Sequence, residues 1–244
     1  MTAATAMRIQ RALARAGVAS RRAAEELVAA GRVRINGVVA KTGQSCDPAT
    51  DKITVDGKAI AAPSATAKWL VLNKPGGVLT TRKDPDGRRT VFDVIGTRDV
   101  PGLTYVGRLD YLTEGVLLLT TDGDAAHRLT HPSREVERTY VATVNGNAVQ
   151  AAVAARRGVE LEDGLVNVIS AEARALGNRT WEFEVTLAEG RTHEIRRLCE
   201  AVGLEVKRLV RTRFGPVELG ALPSGDVRPL TARERTVIDA MTAG

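Results

Sequence analysis

The chain changes character across residues 61–68, AAPSATAK, a run of small residues with one proline and one serine. Such a run reads as a linker, so residues 1–60 and 69–244 are expected to fold as separate domains. Two contrasts support the division. Residues 1–62 hold ten Lys/Arg against five Asp/Glu, which is +5 of the chain's net +6. All eight aromatic residues, from Trp69 to Phe214, lie beyond the linker. A basic module with nothing on which a base can stack would grip phosphates and shape. Capture of an unstacked base would then fall to the larger part. A solvated basic face with no partner is the plainer reading of the charge alone.

Local signals fill in the elements. Ile9, Leu13 and Ala16 share a helix face that Gly17 can end. Ser20 is a good N-cap for a second helix, 21–30, with Gly31 at its C′ position. That puts Arg21 and Arg22 in a first turn, where the helix dipole disfavours cations, and a phosphate partner would explain them. Val33 and Ile35 alternate into Asn36-Gly37, a hairpin signal, and Ile53–Val55 runs into Asp56-Gly57. In the larger part, strands are expected over Trp69–Asn73, up to Gly107, over Val116–Thr120, Arg138–Val144 and Trp181–Leu187, and from Leu204. Asp122 can cap a short helix, an Ala-rich helix covers about 147–157, and a helix with Ile195, Leu198, Cys199 and Val202 inward follows Gly190. With no regular βαβ alternation, the expected class is α+β with a mixed, mainly antiparallel sheet and an active-site cleft.

Several chemistries lose support. No Gly-x-Gly-x-x-Gly, P-loop or Gly-x-Ser-x-Gly motif is present. Cys46 and Cys199 stand alone, which argues against a disulfide framework or a Cys-based zinc site. His127 and His131 have ligand spacing but no third ligand nearby, so no metal and no cofactor are expected. No apolar run approaches the length of a membrane span. The first twenty residues lack the apolar core of a secretory signal, so a cytoplasmic protein is expected. A monomer is the default.

Asp110 is the carboxylate of Gly107-Arg108-Leu109-Asp110, a loop at a strand end. A carboxylate there can act as a nucleophile where a cation keeps it ionised; it can equally cap a turn. At about 100° per residue, Arg196 falls at the border of the apolar face of its helix, within reach of a partly buried carboxylate. Arg197 points away, towards solvent and phosphate.

These segments together resemble the bacterial ribosomal pseudouridine synthases that modify large- or small-subunit rRNA. Gly107–Gly123 resembles the family's catalytic segment, which implies Asp110 as nucleophile. Lys74-Pro75-Gly76-Gly77 is similar to its opening motif. Glu137-Arg138-Thr139-Tyr140 resembles its second motif, which implies that Tyr140 packs on the target base, although the family often has Lys where Arg138 stands. Gly190–Arg197 resembles its third motif, which implies that Arg196 pairs with Asp110; Glu194 occupies a position where some members have Gln. Phe214-Gly215 and the stretch from Leu222-Pro223 to Thr231 match its closing segment. Residues 7–58, with Ser20-Arg21-Arg22 and Gly31–Gly37, resemble a small αL RNA-binding domain named after a ribosomal protein.

The resemblance implies uridine-to-pseudouridine isomerisation on a flipped-out base, by attack of Asp110 on ribose or base, with Tyr140 assisting loss of the C5 proton. Lys74, Arg108 and Arg191 would make phosphate or loop contacts near the pocket, Arg197 would meet phosphate, and Arg21, Arg22, Arg32 and Arg34 would grip rRNA at a distance. His131-Pro132-Ser133 with Glu135-Val136 favours the large-subunit branch. A small-subunit target, a tRNA- or mRNA-modifying synthase, and a non-catalytic rRNA assembly factor are the alternatives.

Overall fold

In the computed structural model, which describes residues 6–61 and 66–243, residues 6–60 fold much as their caps and turns dictate. Helix α1 spans Ile9–Arg15 and α2 spans Arg21–Ala29. Ser20 caps α2, its hydroxyl accepting from Ala23 N at 3.2 Å. Asn36 (φ 51°) and Gly37 (φ 87°) are both left-handed, as a two-residue type I′ hairpin requires. Asp56 and Gly57 repeat the arrangement. The two hairpins join as a four-stranded antiparallel sheet in the order 38–39, 33–35, 53–55, 58–59. Ile9, Leu13, Val28, Val33 and Ile53 are its buried core.

Arg21 and Arg22 are exposed. Arg32, half exposed, holds Asp56 in a two-pronged ion pair, Nε at 2.9 Å and Nη2 at 2.5 Å. Arg34 donates to the Gly37 carbonyl at 3.0 Å. Of the linker stretch, residues 62–65 lie outside the described residues.

The compact unit built on this module also takes in residues 97–104 and 120–123, which the sequence reading placed in the larger domain. Backbone fit accounts for the first segment. A side chain at Gly17 would meet Pro101 Cβ at 2.4 Å, and one at Gly102 would meet the Arg15 carbonyl at 2.4 Å. Thr121 N donates to the Lys68 carbonyl at 3.1 Å, which ties in the second.

The other unit holds residues 69–96, 105–119 and 124–244. Its main strands are β1 (Trp69–Lys74), β2 (Thr113–Thr120), β3 (Arg138–Asn145), β4 (Ser170–Gly177), β5 (Thr180–Leu187), β6 (Glu205–Phe214) and β7 (Val227–Pro229), in the spatial order β4-β5-β3-β6-β2-β1-β7. The β6–β2 pairing is parallel, while β3–β5, β3–β6, β4–β5 and β7–β1 are antiparallel. The sheet is thus mixed and mainly antiparallel, with helices α3 (Val91–Ile95), α4 (Gly123–Thr130), α5 (Ala148–Arg156), α6 (Glu194–Ala201) and α7 (Ala232–Thr242). Strands β1 and β2 are buried almost throughout, matching their continuous apolar runs. Gly115 (φ 101°) permits the parallel pairing, because a side chain there would meet the Arg211 carbonyl at 2.2 Å. Cys46 and Cys199 are free and buried. No helix among the described residues is long and apolar enough to cross a membrane.

Candidate active site

The loop at 107–112 is braced through its backbone. Thr80 Oγ1 donates to the Leu109 carbonyl at 2.7 Å, and Leu109 N donates back to the same hydroxyl at 3.3 Å. Gly77 N donates to the Tyr111 carbonyl at 2.8 Å, and Thr113 N to that of Asp110 at 3.0 Å. Lys74 Nζ donates to the carbonyls of Pro75 (3.0 Å), Tyr111 (3.3 Å) and Thr113 (2.8 Å). The Lys-Pro-Gly-Gly segment is therefore the brace of the Asp110 loop. Of the phosphate or loop contacts expected of Lys74, the loop contacts are the ones formed: it is fully buried, all three of its donors are used, and burial pulls its pKa down to about 8. Leu109 anchors the loop in the core, while the Asp110 side chain stays 39% exposed.

Asp110 stands on the wall of a cavity of about 130 Å³. The floor is a face of β3 and β6. Arg138 and Tyr140 alternate along β3, and Tyr140 pairs across with Arg211. Leu209 and Arg211 alternate along β6, and a register shift between Thr139 and Tyr140 leaves Thr212 as an extra residue on that strand. The shift lets Phe214, three residues beyond Arg211, line the same cavity. Arg138 and Arg211 lie over the Phe214 ring at 5.4 and 5.1 Å. Both guanidiniums are buried, and burial lowers the pKa of Arg138.

The opposite wall is the start of α6. His193, its N-cap residue, is left-handed (φ 52°) and does not cap with its side chain. Its imidazole Nε2 instead lies 3.5 Å from Asp110 Oδ1. Glu194 is buried; its Oε2 accepts from Arg191 N at 3.0 Å, and burial pushes its carboxyl up to about 7. Five arginines line the cavity (Arg108, Arg138, Arg191, Arg196, Arg211) against Asp110 and Glu194, so its charge suits a polyanion.

The structure thus gathers the three expected catalytic residues, Asp110, Tyr140 and Arg196, around one cavity. Tyr140 is buried and Asp110 partly exposed. The expected pair of Arg196 with Asp110 is not formed; the cation-forming group nearest Asp110 is His193, which the sequence reading did not single out. Its signal was position, just ahead of the helix carrying Arg196. Arg197 does not point into solvent: Nη2 bonds Asp163 at 2.8 Å. Arg191 is held by Glu189 (2.8 Å) and by the carbonyls of Gly164 (2.9 Å) and Leu165 (2.7 Å). These two arginines fix the 159–166 hairpin to the start of α6, and together with other hydrogen bonds they hold the Asp163 carboxyl down to about 2. Arg108 is exposed at the cavity.

Residues 68–201 match the family model described as RNA pseudouridylate synthase, a span that carries Asp110, Tyr140 and Arg196. The chain belongs to the RNA pseudouridylate synthase family. Residues 7–50 match the S4 domain model, so this synthase joins a small RNA-binding module to its catalytic domain. It is 44% identical over 225 residues to the ribosomal large subunit pseudouridine synthase B of Haemophilus influenzae, an alignment covering 89% of this chain and 63% of that protein. An uncharacterized RNA pseudouridine synthase of Mycobacterium tuberculosis is 43% identical over 233 residues, 93% of this chain and 91% of that one. A pseudouridylate synthase crystal structure superposes with a TM-score of 0.64 at 28% identity, covering 96% of this chain and 99% of that one.

Proposed function

We propose that this synthase converts a uridine of large-subunit ribosomal RNA to pseudouridine, with Asp110 as the nucleophile. The observation that carries the reading is the braced loop, which holds the Asp110 carboxylate at a cavity floored by Tyr140. The names of the relatives at 44–45% identity supply the large-subunit assignment. Exposed Arg21 and Arg22 give the small module phosphate contacts.

The target base is flipped out of its helix, at a cost of about a few kcal/mol. Stacking on Tyr140 offsets part of it. Asp110 bonds to the ribose or the base, the C1′–N1 bond breaks, the uracil turns, and the bond to Asp110 breaks again as the product forms, which frees the carboxylate. The C1′–C5 bond then forms, C5 loses a proton and N1 gains one. Substrate and product are isomers, so atoms and electrons balance with no co-reactant. Arg196 closes on Asp110 once RNA fills the cavity, in keeping with catalytic contacts that tighten only in the complex. Arg108 contacts RNA at the mouth.

Large-subunit rRNA transcribed with [5-³H]uridine tests this. The protein should release tritium, and Asp110→Asn should release none while retaining the RNA on filters. Tritium release by Asp110→Asn at the wild-type rate would contradict the assignment.

A further inference from the structure

Buried polar atoms are nearly always hydrogen-bonded, because one left unpaired forfeits the water it gave up. Three residues that line the active-site cavity each leave one such atom unpaired: Arg211 Nη2, Thr113 Oγ1 and Glu194 Oε1. They belong to β6, β2 and the first turn of α6. Arg211 is 2% exposed, and its Nε is committed to the Val116 carbonyl at 2.8 Å, which fixes the guanidinium and leaves Nη2 over. Thr113 is 2% exposed, on the strand beside Arg211; it pairs with Leu209, two residues before Gly115, the partner of Arg211. Glu194 is 4% exposed; Oε2 takes the Arg191 amide, while Oε1, 3.6 Å from Arg191 Nε, accepts no hydrogen bond.

By chemical type the three are a donor, a hydroxyl that can donate, and a carboxylate acceptor. Uracil presents the complement on its pairing edge, two carbonyl oxygens and one N–H. Cytosine does not, since it carries an amino group in place of one carbonyl and a bare ring nitrogen in place of the N–H.

We infer that Arg211, Thr113 and Glu194 read the pairing edge of the flipped base and make the cavity selective for uracil: Arg211 Nη2 and Thr113 Oγ1 donate to its carbonyl oxygens, and Glu194 Oε1 accepts from its N3–H. The inference rests on the proposed uridine chemistry. It gives the Arg211–Phe214 face a role that the Asp110, Tyr140 and Arg196 set leaves unassigned. Because the contacts involve the extruded base and not the backbone, they act after RNA has bound.

The test uses the full chain and large-subunit rRNA transcribed with uridine, 2-thiouridine or 4-thiouridine, with product nucleosides resolved by chromatography. Sulfur accepts hydrogen bonds poorly, so the wild type should disfavour a thio-substituted substrate. Arg211→Met and Thr113→Val should each lower kcat on the uridine transcript about 10- to 100-fold, with KM changed less than twofold. In Arg211→Met the preference for oxygen over sulfur should collapse at one of the two carbonyls. A merely structural role for Arg211 would lower kcat but keep that preference. Arg211→Lys and the near-isosteric Thr113→Val carry the same test if Arg211→Met does not fold. Wild-type kcat in the Thr113 and Arg211 variants, or an unchanged oxygen preference, would overturn the inference. A wild-type protein that makes no pseudouridine on the uridine transcript would instead defeat the function reading itself.

Discussion

His193 Nε2 lies 3.5 Å from Asp110 Oδ1, joining the start of α6 to the loop that carries the carboxylate. His193 reaches that position from a left-handed backbone (φ 52°), a conformation that costs a non-glycine residue free energy. Strain kept beside a carboxylate at a cavity points to a working contact, in which the imidazole orients Asp110 for its proposed role.

His193→Asn separates the ring from the backbone, since Asn tolerates the left-handed region well. The variant is expected to keep its melting temperature within a few degrees, while kcat for tritium release falls about tenfold, roughly 1.4 kcal/mol of positioning lost. An unchanged kcat would remove His193 from the site.

Lys74→Met removes the three hydrogen bonds that brace Pro75, Tyr111 and Thr113 and leaves their carbonyls short of a donor. A loss of about 3 kcal/mol in urea-derived stability is expected, as for breaking other buried charged contacts. Activity should fall further than stability alone explains, because Asp110 loses its support. A variant as stable and active as wild type would show that the brace is dispensable.

Much of the architecture could be read from local chemistry. Ser20, Asn36-Gly37 and Asp56-Gly57 announced their turns because their conformational preferences need no distant partner. Asp110, Tyr140 and Arg196 were legible through motif resemblance, and the structure gathers them. What was not legible depends on residues far apart in sequence. The parallel β2–β6 pairing rests on Gly115 meeting Arg211, and the extra residue at Thr212 shows only against β3. The choice between phosphate and loop for Lys74 was not legible because nothing local says that it is enclosed by 111 and 113. Arg197 read as solvent-facing because Asp163 lies in a hairpin 34 residues away. Helix α7 was passed over although Thr231 and Glu234 form a capping box that the sequence displays.

Glu194 gives stability a distinctive pH dependence. Its ordinary pKa is near 4.5, and burial raises it to about 7. Between those values the folded state binds more proton than the unfolded one, so this group's contribution falls as pH rises from about 4.5 to 7. Glu194→Gln keeps an oxygen for Arg191 N and does not titrate. The unfolding free energy of wild type minus that of Glu194→Gln should decline across that window and be flat above it. A difference independent of pH would contradict the burial argument.

Arg21 and Arg22 are exposed in the first turn of α2. Arg21→Ala/Arg22→Ala is expected to leave stability within about 0.5 kcal/mol of wild type. Its RNA affinity should fall, and the slope of log K against log salt should flatten by about 1.5, near two phosphate contacts. A salt slope equal to that of wild type would assign those arginines elsewhere.

The central claim, that Asp110 carries out uridine isomerisation in large-subunit rRNA, is tested most directly in the host. Its gene is deleted, and pseudouridines are mapped in both rRNAs by chemical labelling, with wild type or Asp110→Asn returned to the cell. Loss of a large-subunit site, restored by wild type and not by Asp110→Asn, is the predicted result. A map unchanged by the deletion, or a site restored equally by Asp110→Asn, would contradict it.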